Sequence, residues 1–419
     1  MKAFVTDGNE RSALAITRSL GRRGVSVLVG AEQPASLASS SRYCARHVTY
    51  PSPYRHPDAF RRFLLAFVQR EKVDVVVPVT DVTTHAVSRN QDDLRNHTAV
   101  AAPPFEAFDD VSNKWSLVQK AETCGIPVPR THVVHGVGTL KAVLDRVEYP
   151  AVVKPARSRI LTARGWVAAS VQYASSETDL WRIYQETECL ASFPSLIQER
   201  IVGPGTGLFV LFDRGRLIAA FAHRRLREKP PSGGVSVLRE SIPLDPDQVE
   251  HAIRMLAPLG WHGVAMMEYK QDCRTGQRFL MEVNGRFWGS LQLAIDAGVD
   301  FPHLSCQLAI GDRLDIPPTY RVGVKTRWLL GDLDHLLLRM RYSDRDLNLP
   351  DGAPSRARAL LDFLKFTESD LHYEIVDRDD VRPFMYEIRQ YANELFGWGR
   401  TTAESMERTG VPVEGSSVG

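Results

Sequence analysis

The first hundred residues alternate strand and helix signals, and that alternation restricts the fold more than any other feature of the chain. Residues 3–6 are a short apolar strand ending in Asp7-Gly8-Asn9, and a helical pattern runs over 12–20. Gly21 and Gly24 close the helix, and 25–29 returns as a buried strand. A strand, a helix and a second strand in this order predict a βαβ unit and a parallel sheet. Residues 73–78 read as another buried strand running into Thr80-Asp81. A helix to about Arg95 and a last short strand at 99–102 complete a doubly wound domain. Ligands of such sheets sit outside the carboxyl ends of the strands, which draws attention to Asp7-Gly8-Asn9 and Thr80-Asp81. The glycines do not follow the GxGxxG spacing, so the dinucleotide fingerprint is missing.

The middle of the chain differs in kind. An amphipathic helix over 113–124 stops at Gly125-Ile126-Pro127, and 151–154, 166–173, 195–198, 207–212 and 217–223 read as strands. Asp213-Arg214-Gly215 reads as a tight hairpin turn. Residues 265–270 and 278–283 pair across a polar connection, and from about 322 the chain reads as mainly helical, with a loose tail at 410–419. Long enough for several cores, the sequence divides into an α/β domain over 1–110, an α+β region over 111–320 with a small subdomain at about 125–200, and a helical region over 321–419.

Charge excludes some partners. Fifty-two Lys and Arg against 50 Asp and Glu leave a net +2, interspersed rather than clustered, so neither nucleic acid nor a membrane surface is expected. Five widely spaced cysteines form no CxxC pair, which suits a reducing, cytoplasmic setting. No uncharged apolar run approaches the roughly 18 residues of a membrane span.

Three strand-borne signals carry chemistry. Lys154 ends a buried strand, where an ammonium either meets an anion such as phosphate or snorkels to solvent. Glu268 and Glu282 lie on strands expected to pair, with Asn284 on the same face as Glu282. Two carboxylates and an amide oxygen suit Mg²⁺ carrying phosphates, while an exposed cross-strand polar pair is the plainer alternative. Gln198-Glu199-Arg200-Ile201 breaks into Gly203-Pro204-Gly205, which reads as a hinge or as a surface turn. Arg224 and Arg225, at the end of the strand over 217–223, precede a loop over 229–236 whose glycines offer backbone N–H groups, so this segment is either an anion site or a solvated basic turn.

In this order and spacing the segments resemble the ATP-grasp superfamily. The stretch MEVNGRFWGSLQLAIDAG (residues 281–298) resembles the metal-binding motif of carboxylate–amine ligases and carbamoyl-phosphate-synthase-like proteins. The likeness reaches about residue 311, and Arg327-Trp328-Leu329-Leu330-Gly331-Asp332 resembles only a narrower group of predicted ligases. The resemblance implies an ATP-grasp fold behind a Rossmann-like domain. It implies that Lys114 and Lys154 contact ATP phosphates, that 156–165 closes over the nucleotide, and that Glu199 and Ile201 recognise adenine. Glu268, Glu282 and Asn284 match the Mg²⁺ (or Mn²⁺) ligands. Arg286 matches the group steadying the transferring phosphoryl or acyl phosphate, and the strand-end pair Arg224 and Arg225 is the candidate to help it hold the acyl phosphate. The acidic ribose contact frequent in the family is replaced near Thr206, and Gly285 stands where many relatives have Pro. The activity implied is amide or peptide bond formation between a small carboxylate and an amine, amino acids included, with release of ADP and phosphate and a possible homodimer. Bicarbonate activation and ATP binding without turnover are the alternatives.

Overall fold

The computed structural model describes residues 1–395 other than 164, 169, 348, 350 and 351; Arg164 and the expected tail at 410–419 lie outside the described residues. The parallel sheet is formed by β1 (Lys2–Val5), β2 (Ser26–Ala31), β3 (Cys44–Thr49), β4 (Val75–Val77) and β5 (Ala99–Val100) in the order β3-β2-β1-β4-β5. Its interleaved helices are α1 (Arg11–Arg22), α2 (Pro57–Glu71), α3 (Asp81–Arg89) and α4 (Gln91–Arg95). β1 and β4 are neighbours although the chain leaves β1 in one direction and β4 in the other, so the topological switch point falls between their carboxyl ends. Asp7 and Thr80-Asp81 occupy it. The Asp7 carboxylate accepts hydrogen bonds from the Thr80 N–H (3.0 Å) and from the Thr6 and Thr83 hydroxyls, which locks the two strand ends together. β3 was not expected, because its sequence, CARHVT, lies at a sheet edge with little apolar burial.

A small antiparallel sheet follows α5 (Phe105–Ser112) and α6 (Lys114–Thr123). Its strands are β6 (Thr131–His135), β7 (Ala151–Pro155), β10 (Gln172–Ala174) and β11 (Pro194–Glu199), ordered β10-β7-β11-β6. Between β7 and β10 a separate hairpin pairs β8 (Ile160–Thr162) with β9 (Gly165–Val167). The single strand expected over 166–173 is therefore two strands with different partners. No Gly or Pro separates Trp166 from Tyr173, so the sequence holds no turn signal at the break.

The central sheet has seven strands: β12 (Gly205–Asp213), β13 (Arg216–Lys229), β14 (Val235–Ile242), β15 (Gly263–Gln271), β16 (Arg278–Asn284), β17 (Lys325–Arg327) and β18 (Leu371–Tyr373), ordered β16-β15-β12-β13-β14-β17-β18. The turn at Arg214-Gly215 has positive φ at both residues (47° and 88°), the two-residue hairpin geometry that matches strand twist. β13 does not end at His223 but runs 14 residues to Lys229, so Arg224 and Arg225 lie within a strand. Period-2 alternation divides β12 and β15 between two cores. Phe209, Leu211, Val264 and Met266 pack towards the parallel sheet and Trp288, while Leu208, Val210, Ala265 and Met267 pack with residues of α5 and α6.

The residues after 322 hold helices at Leu329–Arg341, Arg356–Phe363 and Arg382–Leu395, and also β17 and β18, which are three residues each and too short to leave a pattern. This segment is clamped to the amino-terminal domain by Arg18. The guanidinium is 2% exposed, binds Asp380 Oδ2 at 2.9 Å and donates to the carbonyls of Glu374, Ile375 and Asp380. Asp380→Ala would leave that buried cation with only the more distant Asp377 (4.0 Å) as a carboxylate, so it should lower unfolding free energy by about 3–5 kcal/mol, read by denaturant titration. A loss below 1 kcal/mol would show that the clamp does not hold the segment.

Candidate functional site

β15 and β16 pair with Glu268 directly opposite Glu282, so both side chains rise from the same face. Two like charges at this separation need compensation, and the surrounding elements supply it. Lys114 is the first residue of α6, whose start is capped by the Asn113 side chain. Its Nζ lies 3.8 Å from Glu282 Oε2 and 2.6 Å from Ser158 Oγ. Arg225 Nη2 reaches Glu268 Oε2 at 2.6 Å. Asn284 donates to Glu282 Oε1 (2.9 Å) and accepts from Arg286 Nη2 (3.2 Å), while Arg286 Nε pairs with Asp81 Oδ2 at 3.0 Å. Asp81 follows the switch point of the parallel sheet, so the Glu282–Asn284–Arg286 chain joins the two sheets.

Lys154 rises from β7 into the same space and is 6% exposed. Burial, seconded by Lys114, brings its ammonium down to about 8, with Glu282 and Glu268 acting the other way and no hydrogen bond among the influences. At Glu282 burial favours the neutral acid, but Lys114, the Asn284 amide, Lys154 and Arg286 outweigh it and bring the carboxyl down to about 2. At Glu268 burial raises the carboxyl; Arg225 opposes that rise and Glu282 adds to it. The pair is thus one firmly ionised carboxylate beside one whose ionisation is resisted, the arrangement that a divalent cation would relieve. Glu268, Glu282 and the Asn284 amide oxygen are the hard oxygen donors such an ion prefers, and they fit it.

A cleft adjoins Glu282, lined among others by Asp81, Lys114, Ser158 and Asn284. Its outer wall is the segment after β7. Arg157 grips Asp109 with two hydrogen bonds (2.7 and 2.9 Å), Arg159 lies over the Tyr54 ring, and the Trp166 backbone N–H donates to the Tyr54 carbonyl. The Trp166 ring meets His85 edge-on at 4.9 Å, and burial lowers His85 to about 4, so it is neutral at pH 7. The small sheet is therefore tied to the amino-terminal domain across this cleft.

The structure brings together Lys114, Lys154, Glu268, Glu282, Asn284, Arg286 and Arg225. It does not bring in Arg224, whose neighbour relation to Arg225 sends it to the other face of β13. There it is half exposed and pairs with Glu240 (Nε–Oε2 2.7 Å). Thr206 also faces away, with its hydroxyl buried and lacking a partner among the described residues, and the positions that face the pair on β12 are Gly205 and Gly207. Glu199 ends β11 some distance along the cleft, next to buried Ile201, and contacts Arg130 (3.4 Å) and Arg274 (3.7 Å). Lys270, absent from the sequence reading, stands two residues beyond Glu268 on β15. Strand alternation puts it on the same face, so the signal was present. Ser158 and Asp109 left none, because their roles come only from the way the segment folds back.

Residues 192–330 match the family model described as ATP-grasp in the biosynthetic pathway with Ter operon. Solved structures with similar folds include an ADP complex of N5-carboxyaminoimidazole ribonucleotide synthetase, with 14% identity, 81% of this chain and 84% of that chain covered, and a TM-score of 0.62. The biotin carboxylase domain of 2-oxoglutarate carboxylase from Hydrogenobacter thermophilus, in complex with MgADP and bicarbonate, has 14% identity, coverage of 77% and 73%, and a TM-score of 0.61. An L-amino acid ligase from Bacillus licheniformis has 17% identity, coverage of 76% and 77%, and a TM-score of 0.58.

Lys154 gives a test that needs no substrate. With no bound anion, Lys154→Met should stabilise the protein at pH 7 by about 1–3 kcal/mol, because at that ammonium burial outweighs the two carboxylates. The depressed group opposes folding fully below about pH 8 and progressively less above it. The advantage of the variant should therefore shrink as pH rises from 8 towards the ordinary lysine value of 10.5, in denaturant melts at several pH values. A destabilised variant would mean that Lys154 is compensated within the protein. The chain has an ATP-grasp fold, and its residues 192–330 match an ATP-grasp family model.

Proposed function

We propose that the protein is an ATP- and magnesium-dependent carboxylate–amine ligase that forms an amide or peptide bond through an acyl phosphate. The observation that carries this reading is Lys154: a buried ammonium with no hydrogen-bonding partner among the described residues, facing two paired carboxylates, is matched by a polyphosphate accompanied by a divalent cation. Magnesium, or manganese, held by Glu268, Glu282 and Asn284 would offset charge on the phosphates.

Lys114 and Lys154 take phosphate oxygens from opposite sides, and the Ser158 segment covers them and excludes water. Glu199 and the Ile201 backbone take the adenine at the far end of the cleft. An oxygen of the substrate carboxylate attacks the γ-phosphorus, a new O–P bond forms, the bond to the β-phosphate oxygen breaks, and ADP leaves. Arg286 and Arg225 flank the carboxylates and hold the acyl phosphate by charge-assisted hydrogen bonds. The amine nitrogen then attacks the acyl carbon, inorganic phosphate departs, and the nitrogen loses a proton. Nothing in this sequence requires a protein nucleophile; the chain's work is positioning and electrostatics. The similarity to an L-amino acid ligase supports an amine acceptor, and small acids and amines, amino acids among them, are the expected partners in a cytoplasmic setting.

The two carboxylating neighbours favour a second reading in which bicarbonate is the acid activated. One assay separates them: ADP release from ATP–Mg²⁺ with acids and amines alone, in pairs and with bicarbonate, with the product identified by mass. Release that needs both an acid and an amine supports the ligase; release that needs bicarbonate replaces it with a carboxylase. Nucleotide binding without release under any condition leaves a binding protein. In the productive assay Glu282→Ala should lower turnover by about 100-fold or more. Ordinary turnover by that variant would remove Glu282 from the metal set.

A further inference from the structure

The motif Arg327-Trp328-Leu329-Leu330-Gly331-Asp332 has no part in the chemistry above, yet the structure gives each polar member a task. Asp332 is 1% exposed and takes Arg227 with two hydrogen bonds of 2.6 Å and Arg327 Nε with a third of 2.6 Å. That fixes the end of β13 against the start of the Leu329–Arg341 helix. A Cβ at Gly331 would run into the Trp328 ring, so only glycine lets the indole lie on that helix. Trp328 Nε1 donates to Glu387 (2.6 Å), which fixes the ring from its far edge.

The ring held in this way faces cations. The Arg11 guanidinium stacks over it at 3.8 Å, and Lys229 Nζ lies 5.7 Å from its centre. Arg11 is the first residue of α1, just after the switch point, and its Nη2 approaches Gly289 so closely that a Cβ there would stand at 3.2 Å. Gly289 is three residues past Arg286, and Lys229 follows Glu228, which pairs with Arg225 (2.9 Å). The Trp328–Arg11 pair therefore adjoins the segments that carry both arginines of the reaction site.

Hydrogen-bonding capacity at this place is not fully used. Arg11 and Arg239 share the single carboxylate of Glu374, each at 2.7 Å. Arg239 is 0% exposed; its Nη2 meets Glu374 without hydrogen-bond alignment, and its Nε has no partner among the described residues. Asp296, which also acts on Arg239, is engaged by Gln292 (2.8 Å) and Thr326 (2.9 Å), and Lys229 is matched by Asp334. Burial pushes Glu387 up to about 7, so it supplies only part of a negative charge at neutral pH. Two guanidinium groups thus compete for one Glu374 oxygen, and the buried Arg239 Nε–H lacks an acceptor among the described residues, which is costly unless a further acceptor joins it.

Resting on the ligase reading, we propose that Arg11, Arg239 and the Trp328 wall form a substrate subsite for a carboxylate other than the one that reacts. The group belongs either to the amine partner, as in an amino acid, or to a second carboxylate on the activated acid.

Calorimetric titration tests this with the full chain, Mg²⁺ and a non-hydrolysable ATP analogue. The probes are L-alanine and L-phenylalanine against their amides, and succinate against succinamate. Capping the carboxylate should weaken binding about 10-fold or more in one of the two sets, and that set identifies the source. Arg11→Gln should erase the difference, Arg11→Lys should keep part of it, and analogue affinity should stay within about 2-fold in both, which also shows that the variants are folded. If no probe binds, if capping has no effect, or if Arg11→Gln keeps the full discrimination, the cluster is an interdomain tie and the proposal is wrong. The ligase reading is judged separately, by analogue binding and by ADP release. Probe binding is repeated without the analogue, so the subsite is tested even where the nucleotide does not bind.

Discussion

Two carboxylates held opposite each other on neighbouring strands set the terms for the rest of this molecule. The β15–β16 register brings Glu268 and Glu282 together, and buried like charges are tolerated only among cations, hydrogen-bond donors or ions. Each compensating group comes from a different element: Lys114 from the start of α6, Lys154 from β7, Arg225 from β13 and Arg286 from the turn after β16. Folding this pair therefore requires the small sheet, the central sheet and the parallel sheet to meet at one place. Asp81 extends the requirement, since its bond to Arg286 ties the pair to the switch point of the first domain.

Much of this was legible because strands encode faces in a period of two. The sequence alone placed Glu282 and Asn284 on one side and predicted the pairing with the Glu268 strand, and the structure has that pairing. The same rule separates Arg224 from Arg225, but only once both are known to lie inside a strand. The reading that ended the strand at His223 left them as a pair in a basic turn, and β13 instead continues through two register shifts to Lys229. Other features were invisible for a different reason. The grip of Arg157 on Asp109 and the docking of Trp166 against Tyr54 and His85 join residues distant in sequence, and no local pattern announces them. β17 and β18 were missed because three residues cannot display a period; they exist because β14 offers an edge to pair with.

The arrangement also bears on which catalytic strategy is open to the chain. Cys306 is buried and pushed up to about 12, and burial raises Cys44 as well, so neither presents a thiolate at neutral pH. His223 is buried beneath the pair, stacked on Phe209 and bonded to Ser290, and burial together with Arg225 and Arg239 keeps it neutral. His85 is neutral for a similar reason. A site rich in fixed cations, with neutral imidazoles beside it, is suited to holding anionic groups. The glycines at 205 and 207 fit the same picture. They leave the face beside Glu268 free of side chains from β12, and the long Arg225 side chain lies across Gly205 to reach its carboxylate. A bulky residue at either position would contest the space in which charge has been concentrated.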